Sequence, residues 1–292
     1  MKFNISGYST ALFATWYFVE ELGLLFDAGD GVAASLLQKA RKVEHVFISH
    51  ADRDHLGGLL QFNQLNAREG YPILHYPAHC GSFPAIEEFT KKFDPHVKGT
   101  IWKPVIEDQE IQIADHLIVK AIRNEHVKAD RGIHKSFSYK VYQTKTKLKP
   151  EYASLPQDKI RQLIAESGRE ALSEIVRTNI LTYSGDTPVD DYAKWDNSKI
   201  LIHEATFLGG KYEERINKHG NKHSNLDEVI KMVSEINIET LILGHFSSRY
   251  SDEQIDEEIK KLCKEFLIKI PVYRVLPGQI HRDILKGEPV NQ

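Results

Sequence analysis

The stretch Val46-Phe47-Ile48-Ser49-His50-Ala51-Asp52-Arg53-Asp54-His55 decides the reading of this chain. Its first three residues form an apolar run that reads as a buried strand. The last six place four potential metal ligands, His50, Asp52, Asp54 and His55, directly past the strand's end. Imidazoles and carboxylates at that density are costly to bury unless they coordinate something, so the strand delivers ligands to a cleft. The expectation is a metalloenzyme.

Outward from this run, strand and helix signals alternate. Leu24 to Asp27 is a short apolar strand that ends in the glycine-bearing turn Asp27-Ala28-Gly29-Asp30-Gly31, which leads into the helical pattern Val32 to Arg41. Val43 to Ser49 is the strand before the ligand run, and a helix through Leu59, Leu60 and Phe62 follows it. Ile73 to Tyr76 and Leu117 to Ile122 are further strands, the first followed by the helix-like stretch Ala85 to Phe93. Phe137 to Tyr142 alternates aromatic with polar residues, as a half-buried strand does. Residues 150–176, rich in Glu, Lys, Arg, Gln, Leu and Ile with Pro156 near the start, read as one or two surface helices within a variable helical insertion over 143–180. Three apolar segments then run into reactive residues: Ile180-Leu181-Thr182-Tyr183 before Ser184-Gly185-Asp186-Thr187, Ile200-Leu201-Ile202 before His203-Glu204, and Leu241-Ile242-Leu243 before Gly244-His245. In layered α/β folds reactive residues collect in loops just past strand ends, so these separate segments can aim at one cleft.

Bulk properties narrow the class. The chain has 292 residues and no Pro/Gly/Ser-rich linker, which predicts one domain over 1–292. Hydrophobic residues make up 41% and charged residues 27%, the balance of a soluble globular protein. No apolar run approaches the ~20 residues that span a bilayer. Met1 to Tyr8 lacks the basic and apolar regions of a secretory signal, so a cytoplasmic protein without a membrane partner is expected. Two cysteines, Cys80 and Cys263, are too few for a disulfide framework. The formal net charge of −3 is awkward for nucleic-acid binding, which draws most of its affinity from basic surface. Local patches at Lys39, Arg41 and Lys42, at Lys91 and Lys92, and at Lys140, Lys145, Lys147 and Lys149 could serve, or be solvated faces.

The later motifs, Ser184-Gly185-Asp186-Thr187, His203-Glu204-Ala205-Thr206-Phe207, Lys222-His223-Ser224 and Gly244-His245-Phe246-Ser247-Ser248-Arg249-Tyr250, resemble in this order those of ribonuclease Z, the tRNA 3′-processing endonuclease branch of the metallo-β-lactamase superfamily. The likeness covers most of the chain. His50 to His55 is one letter from the superfamily's H-x-H-x-D-H, with Asp52 where the second histidine usually stands. Asp27 to Gly31 looks like the family's D-C-G-E-G turn. The resemblance implies an α+β fold, a four-layer αββα sandwich of two mixed sheets, with a dinuclear site at one edge. It also implies that His50, Asp54, His55, Asp186 and His245 bind metal.

Two metals sharing a bridge need about seven protein ligands. His50, Asp52 and His126 suit one, Asp54, His55 and His245 the other, with Asp186 between them. His126 follows the strand residues Val119-Lys120-Ala121, whereas His134, nearer Phe137-Ser138-Tyr139, is the alternative. By resemblance His223 is the proton donor and Glu204 its orienting partner, Asp54 serves as proton acceptor as well as ligand, and Arg249 and Tyr250 contact substrate. A surface histidine in the loop Lys218-His219-Gly220-Asn221-Lys222 is the other reading of His223. The cofactors expected are two divalent ions, Zn²⁺ first, with Mn²⁺ or Fe²⁺ admitted by the hard oxygen of Asp52.

The resulting expectation is a homodimeric phosphodiesterase that cleaves precursor tRNA after the acceptor stem. An alternative is a hydrolase of a small phosphodiester such as a cyclic nucleotide, favoured by the acidic balance and by the lack, within 143–180, of the glycine- and proline-rich arm with which the family usually grips tRNA. Two outsiders are a non-catalytic RNA-binding member whose site has decayed, supported only by Asp52, and a mononuclear iron oxygenase.

Overall fold

The computed structural model describes residues 3–93, 99–209 and 222–292; Met1, Lys2 and residues 218–221 of the loop before His223 lie outside it. One sheet takes the first half of the chain in sequence order: β1 (Ile5–Thr10), β2 (Ala14–Val19), β3 (Leu24–Phe26), β4 (His45–Phe47), β5 (Ile73–Pro77) and β6 (Ile101–Val105). The first three strands pair antiparallel and the rest parallel. Parallel neighbours need crossovers, supplied here by α1 (Val32–Leu36), by α2 (Arg53–Leu56) with α3 (Leu59–Asn66), and by α4 (Ser82–Phe93).

The second sheet runs β13-β12-β11-β10-β9-β8-β7, from β7 (Glu110–Ala114), β8 (Leu117–Arg123), β9 (Phe137–Leu148) and β10 (Ser173–Tyr183) to β11 (Ser198–Glu204), β12 (Ile238–Gly244) and β13 (Val272–Arg274). It is antiparallel as far as β10 and parallel beyond, with α6 (Leu226–Glu235) and α7 (Asp252–Glu265) among its crossovers.

Alternation along the strands builds the layers. Tyr17, Val19, Phe26 and Phe47 meet Val119, Phe137, Tyr139, Leu181, Tyr183 and Ile202 between the sheets. The other faces of the same strands, through Trp16, Phe18, Leu25 and Val46, pack on Val32, Leu36, Leu59, Phe62 and Phe83 of the first helical layer. Leu201, Leu241 and Leu243 pack on α6 and α7. The architecture is the αββα sandwich that the motifs implied. Among the described residues no helix is long and apolar enough to cross a membrane.

The helical insertion expected over 143–180 needs correction. Gln143 to Leu148 continues β9 and Ser173 to Ile180 belongs to β10, and the two pair from Tyr139↔Tyr183 out to Leu148↔Ser173. Helix is confined to the 3-10 turn Pro150–Tyr152 and to α5 (Gln157–Ser167), which buries none of its residues. The reason is physical: the outer part of this hairpin buries no continuous face, so it lacks the apolar alternation by which a strand announces itself. β-branched Thr144, Thr146, Ile175 and Val176 sustain it instead, together with the Arg177 guanidinium 4.7 Å over the Tyr142 ring.

Candidate metal centre

The reactive residues lie just past strand ends. Asp27 follows β3, His50 and Asp52 follow β4, and Asp54 and His55 lie in α2. On the other sheet His126 follows β8, Asp186 follows β10, Glu204 closes β11 and His245 follows β12. The two edges are tied together here: Phe137 N–H donates to the Ser49 carbonyl at 2.9 Å, and the Tyr139 hydroxyl to that of Ile48 at 2.7 Å. Gly185, before Asp186, has φ +58°, and a Cβ there would fall 2.7 Å from that of Ser49. A Cβ on Gly244, before His245, would lie 1.9 Å from the Tyr17 hydroxyl. Asp27 (φ 55°) and His245 (φ 60°) themselves adopt the left-handed conformation, a cost for non-glycine residues of the kind that clusters at functional sites.

The ligand atoms of Asp54, His55, Asp186 and His245 lie within 4.8 Å of one another, and so do those of His50, Asp52 and His126. Asp186 joins the halves: its Oδ2 is 3.2 Å from His55 Nε2, 3.3 Å from His245 Nε2, 3.7 Å from His50 Nε2 and 3.9 Å from His126 Nε2. Asp52 Oδ2 lies 3.6 Å from His50 Nε2 and 3.5 Å from His126 Nε2. His126 rather than His134 therefore joins the cluster. His134 instead pairs with His79, ring to ring at 5.2 Å, its backbone N–H donating to His79 Nδ1 at 2.9 Å.

Each imidazole is fixed through Nδ1. His55 donates to Asp27 Oδ2 (2.7 Å) and His126 to the Lys222 carbonyl (2.8 Å). Ser49 Oγ donates to Asp27 and Thr206 Oγ1 to Glu204, so these hydroxyls accept from His50 (2.9 Å) and His245 (2.8 Å). All four Nε2 atoms consequently turn toward the carboxylates. Those of His50, His55 and His126 are buried with no hydrogen-bond partner. Lone pairs facing carboxylate oxygens repel unless a cation lies between, and anchored Nδ1 atoms are the usual support of metal-binding imidazoles. The residues present fit divalent metal.

Electrostatics agree. Burial opposes charge on His55, but Asp186 and Asp27 outweigh it and hold its pKa well above the ordinary range. Burial also opposes ionisation of Asp186, yet His245 and His55 hold it well below. Asp54 is kept at about 2, burial being outweighed by the hydrogen bond to His245 and the charge of His55. The imidazoles of His126 and His50 hold Asp52 far below the carboxylate range. This centre draws positive charge into a buried space.

Beside it, His223 Nδ1 is 3.1 Å from Glu204 Oε1 and 3.8 Å from Asp186 Oδ2. Glu204 is immobilised by the N–H groups of Thr187 (2.9 Å) and Thr206 (3.2 Å). Burial lowers the pKa of His223, but the Glu204 charge and hydrogen bond and Asp186 raise it to about 9. The same geometry gathers His223 with His126 and Asp186, and with Glu204 and His245, as possible ligand sets. Of the two expected substrate contacts, Arg249 is exposed, whereas Tyr250 is buried in the core beneath α7 with Phe246 and Ile255. Tyr250 is thus packing, because its helix-capping loop folds back onto that core.

Sequence reasoning missed the supports. Asp27 accepts from Ser49 N (2.6 Å), Ser49 Oγ, His55 and the Tyr183 hydroxyl, and its glycine-bearing turn was the available signal. Ser9 Oγ accepts the His245 N–H at 2.9 Å and Leu12 N–H donates to Asp54 Oδ2 at 3.0 Å, and nothing in the sequence pointed to either.

Residues 23–246 match the family model described as Beta-lactamase superfamily domain, and the chain belongs to that superfamily. Its relatives include the chloroplastic tRNase Z TRZ2 of Arabidopsis thaliana, 27% identical over 282 residues, covering 92% of this chain and 74% of the relative. Another is tRNase Z TRZ1 of the same plant, 28% identical over 271 residues, 89% of this chain and 91% of the relative. The solved metallo-β-lactamase fold protein YhfI from Bacillus subtilis shares the fold, with a TM-score of 0.62 at 16% identity over 96% of this chain and 99% of that one. The chain is a metal-dependent hydrolase of this superfamily.

Proposed function

We propose that the protein is a ribonuclease Z-like endonuclease that hydrolyses a phosphodiester of precursor tRNA to release the 3′ trailer. The observation that carries this reading is the His223–Glu204 pair set against the shared Asp186 carboxylate. His50, Asp52 and His126 would hold one divalent ion, Asp54, His55 and His245 the other, and Asp186 both. When bound, the ions would supply Lewis-acid activation of the phosphodiester and of water. The chain's own groups move the protons. Ionised Asp54 accepts one from the attacking water. His223, protonated at neutral pH and held at Nδ1 by Glu204, gives one from Nε2 to the departing ribose 3′-oxygen, an alkoxide that leaves poorly without it. The mixed nitrogen and oxygen donors suit Zn²⁺, and the oxygen of Asp52 admits Mn²⁺ or Fe²⁺. The homodimer and the cytoplasm belong to the same reading, the homodimer resting on the resemblance.

A second reading, hydrolysis of a small phosphodiester, is favoured by one feature. Lys145, Lys147 and Lys149 sit toward the far end of the β9–β10 hairpin, roughly 20 to 33 Å along it from the Tyr139–Tyr183 end that borders the metal centre, at about 3.3 Å per residue, so they do not reach a phosphate there. The test is metal-loaded protein, with Zn²⁺ or Mn²⁺, on a precursor tRNA and on bis-p-nitrophenyl phosphate. Cleavage of both supports the nuclease, of the small ester alone the second reading, and of neither a decayed site.

A further inference from the structure

The turn joining β1 to β2 is fastened to the metal centre, yet it shows solvent two large apolar side chains. Thr10 pairs with Ala14, leaving Ala11, Leu12 and Phe13 as the loop. Phe13 N–H closes it on the Thr10 carbonyl at 3.1 Å. Leu12 at its apex has φ 71°, a conformation ordinarily given to glycine or asparagine. Its N–H holds Asp54 Oδ2 at 3.0 Å. On the other side Ala11 N–H donates at 3.2 Å to the carbonyl of Phe246, the residue after His245. The turn is thus bonded to both loops that bring ligands to the Asp54–His55–His245 half, and Leu12 and Phe13 are 78% and 62% exposed.

Packing does not explain this arrangement. A strained leucine and a bare phenylalanine contribute little to a core they do not enter, and strain held at a site rim points to a ligand-facing role. We propose that Phe13, flanked by Leu12, is the stacking platform for the unpaired nucleobase next to the scissile phosphodiester. This rests on the RNA substrate read above. The turn reaches the ligand cluster itself, Leu12 N–H lying 3.0 Å from Asp54 Oδ2, so a phosphodiester held at that half of the centre would have its adjoining nucleoside beside the turn. The turn's three N–H groups are already engaged inside the protein. They are therefore not available to read base edges, and recognition would be through the ring face, tolerant of base identity.

The experiment measures kcat/KM of full-length, metal-loaded protein on a precursor tRNA, and on the same RNA with the base deleted on one side or the other of the cleaved bond. Phe13→Ala should lower kcat/KM on intact RNA by about 5–100-fold, Phe13→Leu should stay as low, and Phe13→Trp should keep most of the activity. Deleting the base should cost the wild type a similar factor and cost Phe13→Ala nothing further, with metal content and melting temperature unchanged. Equal cleavage of intact RNA by Phe13→Ala and wild type overturns the inference, as does a Phe13→Ala loss of the same size on abasic RNA. A wild type that hydrolyses bis-p-nitrophenyl phosphate but no RNA removes the nuclease reading and this inference together.

Discussion

Strand β4 has one buried histidine, His45, at its start and another, His55, just beyond its end, and their surroundings have opposite electrostatics. At the start, His45 Nδ1 lies 3.1 Å from His75 Nε2, the rings stacked on each other and on Phe47. Burial, with Lys103 close by, pushes His45 down to about 4. Burial, His45 and Lys103 push His75 down to about 3. Past the other end, His55 is just as buried but is held far above the ordinary value. What differs is the company: Asp27, Asp54 and Asp186 surround one group, and the described surroundings of the other contain no carboxylate partner. Burial alone holds a histidine neutral, and the carboxylates around His55 reverse that shift.

The strongest way to break that contrast is to remove the carboxylate that both halves share. Asp186→Ala should lower the hydrolysis rate more than about 100-fold, since even groups that merely support a metal ligand are worth roughly 10–100-fold. The fold should survive, because Asp186 stands past a strand end and not in a sheet ladder. Full activity, or active protein without metal by elemental analysis, would remove the dinuclear reading.

His223 tests whether a fifth imidazole beside the centre holds metal or moves a proton. His223→Ala should cost about 10²–10⁴-fold on RNA, whose ribose 3′-oxygen needs protonation, and far less on bis-p-nitrophenyl phosphate, whose leaving group departs as the anion. Metal content should not change. Glu204→Gln should follow the same pattern more weakly. Equal losses on both substrates, or loss of metal, would make His223 a ligand.

Asp52 sharpens the comparison within the centre, since its side chain is 44% exposed where that of Asp54 is 10% exposed. Asp52→Ala should deplete one ion and slow the reaction by roughly 10–100-fold, a smaller loss than at Asp186. Asp52→His should stay active and shift preference toward Zn²⁺. Unchanged metal content and rate in Asp52→Ala would show that this carboxylate coordinates nothing.

The contrast also shows why the sequence was legible in some places and not in others. Apolar strands run into these loops, so His50, Asp54, His55, Asp186 and His245 could be read from position, whereas the sandwich came with the resemblance carried by the later motifs. His45 and His75 sit inside strands, His45 directly after Glu44, so position past a strand end does not mark them. β1 and β2 went unread because β2, buried on both faces, is a continuous apolar run without alternation, and β7 because its faces are half exposed. The supports from Ser9 and Leu12 arise only when the first hairpin closes over the end of β12, a long-range contact that no local pattern encodes.

The smallest effect is expected at the far end of β4, and it is one of pH. Both rings are neutral in the fold, with values below the roughly 6.5 of an unfolded histidine, so on acidification the unfolded chain takes up protons first. Their contribution to stability is complete above about pH 6.5 and declines as pH falls toward the folded values of about 4 and about 3, by at most about 1.4 kcal/mol per pH unit for each ring. His75→Phe keeps a flat ring against Phe47, 4.3 Å away in the native stack, and removes one titrating group. At pH 7 it should be destabilised by about 1–3 kcal/mol, because His45 Nδ1 loses its partner. Between pH 6.5 and 5, however, its stability should fall less steeply than that of the wild type. Denaturant unfolding of both proteins at pH 7, 6 and 5 measures this, and the metal-site histidines, identical in the two, cancel in the difference. Parallel pH slopes would mean that the pair does not resist protonation and that burial without carboxylates is not what separates the two ends of this strand.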